Sequence, residues 1–124
     1  MPQYHVLISG SLSFDDYDLL CATLDRLLTS KENVVIVSGG AKGAEQLGER
    51  YAQEHGLSLK QILADWEKHG RGAKVIRAAQ LIEAADCAVF LWDGKSKAVA
   101  ELIEKAEAKG IPVELVRFDA RGAA

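Results

Sequence analysis

The stretch NVVIVSGGAKGAEQLGERYA, residues 33–52, decides the fold of this chain. Its four β-branched residues, 34–37, run into the pair Gly39-Gly40, after which the apolar pattern changes to a helical period. The stretch therefore predicts a β-strand, a tight turn and an α-helix. Gly39 and Gly40 permit the sharp turn, and we expect Gly43 to let the helix pack close to its strand.

This glycine turn is a candidate anion site. We expect the free N–H groups of the helix's first turn to point out of the strand's carboxyl end, where the helix dipole also favours negative charge. A phosphate or a carboxylate is the ligand that this arrangement suits. A purely structural turn is the alternative, and Glu45 competes with a ligand because its carboxylate can cap the same N–H groups.

Length and composition indicate one globular domain. The chain has 124 residues, of which 48% are hydrophobic and 27% charged, so we predict a single domain over residues 1–118 and a short frayed tail over 119–124. The net charge of −3 offers no basic field for nucleic acid.

Because no signal peptide or membrane-spanning run is apparent, we expect a cytoplasmic protein without membrane contact. Cys21 and Cys87 lack metal-ligand spacing, so we expect two reduced thiols, no metal and no cofactor.

The order of apolar segments predicts the fold class. Strands are expected at residues 4–9, 34–37, 57–63, 87–91 and 113–118, and helices begin near residues 14, 43, 75 and 97. The remaining segment, 64–74, is expected to be irregular. Such alternation predicts a three-layer α/β domain of the Rossmann-like kind, with a mostly parallel five-stranded sheet. Its ligand would lie beyond the carboxyl ends of the strands.

Three loops, residues 10–14, 38–43 and 92–97, should meet at that edge. Arg77, near the start of a helix, could clamp a phosphate there, although a solvated basic loop is the alternative for the whole cationic segment 68–77. Trp66 and Trp92 flank these loops, either as stacking platforms or as packing. Asp93 ends a strand and is either a working carboxylate or a turn former.

Two better known phosphate motifs are excluded by their spacing. Gly94-Lys95-Ser96 resembles the end of a Walker loop, but that loop needs a further glycine where Val89 stands. The sequence GGAKG does not have the glycine spacing of the GxGxxG fingerprint, which argues against a dinucleotide dehydrogenase. No nucleophile with an adjacent base is evident from the sequence.

Four segments together resemble the YspA/cpYpsA-related branch of the SLOG superfamily, which also holds the LOG phosphoribohydrolases and DprA-type proteins. They are GSLSFDDYDLL, VIVSGGAKGAEQLGERYAQEHG, ADWEKHGRGAKVIRAAQL and LWDGKSK, and the resemblance covers about residues 4–117. It implies a Rossmann-like domain that binds nucleotides or nucleotide-derived ligands and often self-associates.

The chain departs from this branch at several pocket positions. An arginine is usual at Leu12, an aspartate at Glu45, an asparagine at Ala78, and a Gly-Thr pair at Ala98-Val99. In LOG enzymes the comparable Gly-Thr segment and a following glutamate carry ligand binding and hydrolysis. The site has therefore either decayed or been put to another use, such as a subunit contact.

These observations lead to one functional prediction with two alternatives. We predict a domain that binds a nucleotide or nucleotide sugar. The predicted contacts are Gly39, Gly40 and Gly43 for backbone approach to phosphate, Ser11 and Ser38 as hydroxyl donors, Arg77 as the charge clamp and Asp93 for a ribose hydroxyl. The alternatives are an N-glycosidic phosphoribohydrolase and an oligomer-forming scaffold without a ligand, of natural or engineered origin. We also expect a homo-oligomer, most simply a dimer.

Overall fold

A computed structural model describes residues 2–119 of the chain, which form a single five-stranded sheet with helices on both faces. The strands are β1 (Tyr4–Gly10), β2 (Val34–Ser38), β3 (Ser58–Gln61), β4 (Cys87–Trp92) and β5 (Val113–Arg117). The helices are α1 (Tyr17–Leu28), α2 (Ala44–Glu54), α3 (Trp66–His69), α4 (Ala73–Ala84) and α5 (Lys97–Lys109). All four neighbouring strand pairs are parallel, which confirms the predicted fold class.

The central strands carry apolar residues on both faces because each face is covered by helices. On one face, Val6 and Ile8 of β1 belong to a core that also contains Leu20 and Leu24 of α1. On the other face, Leu7 packs into a core built with α4 and α5. This double burial explains the absence of polar alternation in β1, β2 and β4.

The strand order, β3-β2-β1-β4-β5, places a reversal between β1 and β4. The chain runs from β1 outward through β2 to β3, then returns to the other side of β1 for β4 and β5. In sheets of this kind the loops after the two strands at the reversal border the ligand crevice. The loops that follow β1 and β4 therefore define the centre of the candidate site.

The segment 64–74, predicted to be irregular, is instead largely helical. It contains α3, a 3₁₀ turn at Gly70–Gly72 and the first residues of α4. Asp65 begins α3, since its side chain accepts a hydrogen bond of 3.0 Å from the amide of Lys68. Gly70, at φ +55°, ends α3. In the sequence, Asp65 is a typical N-cap residue and indicates a helix start, whereas the glycines around residue 70 favour an irregular segment.

The third strand is shorter than predicted. It ends at Gln61 rather than near residue 63, and all four of its residues are exposed because it lies at the edge of the sheet. No helix within residues 2–119 is long and apolar enough to cross a membrane. The predicted frayed tail, 119–124, lies outside the described residues except for Asp119.

Candidate functional site

The structure brings the predicted site residues to the carboxyl edge of the sheet. The glycine turn follows β2, Ser11 follows β1 and Asp93 follows β4. Arg77 reaches the same edge from α4, where its Nη1 donates a hydrogen bond of 3.2 Å to the carbonyl oxygen of Gly39. Three loops and one helix thus meet at this edge.

Two glycines of the turn have backbone angles that other residues rarely adopt. Gly40 has φ +78° and Gly43 has φ +80°. A Cβ atom at Gly40 would lie 2.7 Å from Cδ2 of Leu63, so this leucine packs directly on the turn. The turn therefore needs glycine both for its conformation and for its closeness to neighbours.

Gly43 does not have the packing role that the sequence predicted. It is the N-cap residue of α2, and a Cβ atom there would overlap the carbonyl oxygens of Ser11 and Leu12. It therefore permits contact with the loop after β1 rather than with its own strand. Gly48 brings the helix close to the sheet, since a Cβ there would lie 2.8 Å from Cβ of Ile8.

Two carboxylates of α2, the buried Glu45 and the half-buried Glu49, accept hydrogen bonds from the turn and from the strands beneath it. Glu45 Oε1 accepts a hydrogen bond of 3.0 Å from the amide of Ala41, and Oε2 accepts one of 2.7 Å from the hydroxyl of Ser9. One helical turn further on, Glu49 Oε2 accepts a hydrogen bond of 2.8 Å from the hydroxyl of Ser38. Gln61 Nε2 donates to the same oxygen at 2.8 Å. These contacts join β1, β2 and β3 to the helix directly beneath the turn.

Several amides that were expected to be free already have acceptors. The amide of Gly40 donates to Ser38 Oγ at 3.0 Å, and that of Ala41 donates to Glu45. In the first turn of α2, the amides of Ala44 and Gln46 donate to the carbonyl oxygens of Ser11 and Ala41. These amide donors are therefore already bonded to acceptors within the fold itself. The anion prediction for the turn therefore depends on fewer free donors than the sequence suggested.

Arg77 has an incomplete set of partners. Its side chain is half-buried, and its Nε atom is buried without a hydrogen-bond partner among residues 2–119. Most buried polar groups in proteins are hydrogen-bonded, so an exception in a cation next to a glycine turn calls for an explanation. A Cβ atom at Gly39 would lie 3.4 Å from Nη1 of this arginine, which places the guanidinium directly against the turn.

Asp93 organises the loop in which it lies. Its Oδ1 accepts hydrogen bonds from the amides of Lys95, at 2.8 Å, and Ser96, at 3.0 Å. The amide of Lys95, that of Ser96 and the nearby hydroxyl of Ser11 lower the pKa of Asp93 below its ordinary value. The turn-forming alternative is thus realised. Its predicted contact with a ribose stays a prediction.

The two serines predicted as hydroxyl donors are engaged inside the fold. Ser11 is 2% exposed and its hydroxyl accepts from the amide of Asp93. Ser38 is fully buried and its hydroxyl bridges Glu49 and Gly40. Their contact with a ligand stays a prediction, and their observed contacts hold the loops in place.

Sequence reasoning missed Ser9 and Glu49 and gave Glu45 only a capping role. Two signals were available. Glu45 and Glu49 are four residues apart, which places them on one face of a helix, and that face must cover the sheet. Ser9 and Ser38 are polar residues near the ends of otherwise apolar strands, and a buried serine hydroxyl needs a hydrogen-bond acceptor.

A separate apolar cleft of about 280 Å³ lies near the amino ends of β1, β4 and β5. Tyr4, Lys31 and Cys87 are among the residues that line it, and the predicted site residues are not. This cleft is therefore distinct from the carboxyl edge. At the cleft, a hydrogen bond with Cys87 and, as a smaller cause, burial raise the pKa of Tyr4 to about 12.

Comparison with known proteins gives a family match. The sequence model of the YspA, cpYpsA-related SLOG family matches residues 4–69, which include β1, the glycine turn and α2. The chain is also similar to the Gene 61 protein of Mycobacterium phage D29, with 35% identity over 115 residues. That alignment covers 87% of this chain and 92% of the phage protein. No solved structure matches the chain.

Proposed function

Because this chain belongs to the YspA, cpYpsA-related SLOG family, we propose that it binds a nucleotide or a nucleotide sugar at the carboxyl edge of its sheet. Family membership supports a nucleotide-related binding domain, and the finer identity of the ligand is our proposal. Its phosphate would lie at the glycine turn, beside Arg77.

The main support for this proposal is the buried Nε atom of Arg77, which has no hydrogen-bond partner among residues 2–119. A guanidinium binds phosphate oxygens through two neighbouring N–H groups. In Arg77, Nη1 donates to the carbonyl oxygen of Gly39, while the Nε–H lacks an acceptor within the described part of the chain. A ligand oxyanion would supply that acceptor. Gly39 and Gly40 add no side chain of their own at the turn, and the nearest neighbours that pack against them are Glu45 and Arg77 at Gly39 and Leu63 at Gly40.

The proposal can be tested by nuclear magnetic resonance. The ¹⁵N-labelled protein is titrated with inorganic phosphate, AMP and ADP-ribose to millimolar concentration. We expect chemical-shift changes at the amides of residues 39–44 and at the Nε–H of Arg77. If none of the three ligands shifts these signals, the glycine turn is structural only and the proposal is wrong.

Arg77→Gln provides the matching variant. Loss of a charged donor should weaken nucleotide binding on the order of tenfold or more, since hydrogen bonds to charged groups contribute about 1.5–3 kcal/mol. Arg71→Gln is the control, because Arg71 is an exposed cation in the neighbouring 3₁₀ turn. Equal weakening by both variants would indicate a diffuse charge effect and contradict the proposed clamp.

One observation favours the scaffold as a second candidate. Leu12 and Leu63 are 70% and 58% exposed, and both border the glycine turn. Leu12 is a position where the family usually has an arginine. Exposed apolar residues at such a position suit a subunit contact as well as a ligand.

A cytoplasmic location is also part of the proposal. Cys21 and Cys87 are both free thiols. Burial is the main cause that raises the pKa of each, so both are poor nucleophiles at neutral pH. Unpaired cysteines suit the reducing cytoplasm.

A further inference from the structure

The side-chain carboxylate of Glu45 lies directly beneath the glycine turn. It is 4% exposed, and its two carboxylate oxygens accept hydrogen bonds from the amide of Ala41 and the hydroxyl of Ser9. The amide of Ala41 is one of the donors that a phosphate at the turn would use. The carboxylate therefore already accepts from an amide that the ligand's anion would otherwise use.

The charge of Glu45 is not neutralised by a direct ion pair. Among residues 2–119, no Lys, Arg or His nitrogen lies within 4.0 Å of its carboxylate. Arg77 is the nearby cation. A Cβ atom at Gly39 would lie 2.7 Å from Glu45 Oε1 and 3.4 Å from Arg77 Nη1, so the two charges lie within about 6 Å of each other. The arginine nevertheless donates to the Gly39 carbonyl rather than to Glu45.

We propose that Glu45 determines which phosphates the glycine turn accepts, by excluding doubly charged terminal phosphates in favour of singly charged phosphodiesters. The inference rests on the proposed function. A buried carboxylate repels an incoming anion in proportion to that anion's charge, and the low dielectric of a buried site strengthens the repulsion. A nucleotide sugar or another nucleotide diester would then suit this site better than a nucleoside monophosphate.

The decisive experiment compares two ligands that differ by one charge. AMP is close to doubly charged at pH 8, because the second pKa of a phosphate monoester is about 6. Adenosine 5′-methylphosphate, its methyl ester, carries a single charge. We expect the wild-type protein to bind the methyl ester more tightly than AMP. In Glu45→Gln the affinity for AMP should rise on the order of tenfold, and that for the methyl ester less.

Glu49→Gln is the matched control. Glu49 is also a carboxylate of α2, one turn further on, but it accepts from Ser38 and Gln61 rather than from an amide of the turn. We expect this variant to keep the wild-type ratio of the two affinities. The backbone amide spectrum of each variant shows whether the fold is retained.

The possible outcomes separate the inference from the proposed function. If both esters bind but Glu45→Gln leaves their affinity ratio unchanged, the inference is wrong and nucleotide binding stands. If neither ester binds to the wild-type protein or to Glu45→Gln, both are wrong. Should Glu45→Gln fail to fold, the wild-type comparison decides, since equal or tighter binding of AMP contradicts the inference.

Discussion

The backbone amide of Asp93 donates a hydrogen bond of 3.0 Å to the hydroxyl of Ser11, which joins the loop after β4 to the loop after β1. The amide of Ser11 in turn donates to the carbonyl oxygen of Leu91 at 2.9 Å. These bonds lie where the strand order reverses.

The first prediction concerns the pH dependence that Asp93 gives to stability. Its folded-state pKa lies below the ordinary value of 3.8, first because of the amide of Lys95. The carboxylate therefore stabilises the fold at pH values above 3.8, and this stabilisation is lost as pH falls through the folded-state pKa. Asp93→Asn keeps an oxygen acceptor but removes the charge.

Urea unfolding of both proteins at pH 7 and pH 3 measures this effect. We expect the wild-type protein to be the more stable at pH 7 and the difference to shrink at pH 3. Asp93→Ala, which removes the acceptor as well, should cost about 1 kcal/mol at pH 7. A stability difference between wild type and Asp93→Asn that is the same at both pH values would contradict this assignment.

The second prediction is that the protein does not release the base from nucleoside monophosphates. The resemblance to LOG enzymes implies a Gly-Thr pair at the positions of Ala98-Val99, and the chain lacks it. Asp93 already accepts hydrogen bonds from two amides, and the buried Glu45 already accepts hydrogen bonds from two other groups. Incubation with AMP, followed by chromatography for adenine, should give no release above a protein-free control. Release that is lost in Asp93→Asn or Arg77→Gln would establish hydrolysis instead.

Much of the fold could be predicted because its signals are local. The helix α5 begins at residue 97, as predicted; in the structure Ser96 caps its start and Gly110, at φ +84°, ends it. The buried strands were evident from runs of β-branched and apolar residues. The helix α3 was missed because a four-residue helix has no apolar period to detect.

The glycine turn was predictable in position but not in its contacts. The glycine turn lies where the sequence placed it, at the carboxyl end of β2. The contact of Ser9 with Glu45 spans 36 residues, and that of Arg77 with Gly39 spans 38. Both depend on strand order and on how far each helix extends over the sheet. A sequence without structure cannot show which amides of the turn are already in use.

The third prediction is a two-fold dimer formed through the leucines at the glycine turn. Leu12 is 70% exposed and Leu63 is 58% exposed, so burial of both against a second copy would be favourable. We expect a dimer by light scattering at micromolar concentration and a monomer for Leu12→Arg. Leu115→Arg is the control, because Leu115 is 43% exposed on the edge strand β5. A monomeric wild-type protein would rule out this dimer.

The fourth prediction compares two glycines that have similar φ angles but different surroundings. Gly56 has φ +65°, and a Cβ atom there would have no neighbour within 4 Å, so Gly56→Ala should cost only the strain of the left-handed region, about 1–2 kcal/mol. Gly43 has φ +80°, and its Cβ would overlap the carbonyl oxygens of Ser11 and Leu12.

Gly43→Ala should therefore destabilise the fold by about 2 kcal/mol more than Gly56→Ala, since overpacking adds about 1–3 kcal/mol to the backbone strain. The Ser11 carbonyl cannot move away cheaply, because it accepts from the amides of Phe14 and Ala44. Urea unfolding of the two variants measures the difference. If Gly43→Ala is no less stable than Gly56→Ala, the close approach of the β1 loop to α2 is wrong. In that case the amide of Ala44 would be available to a ligand after all.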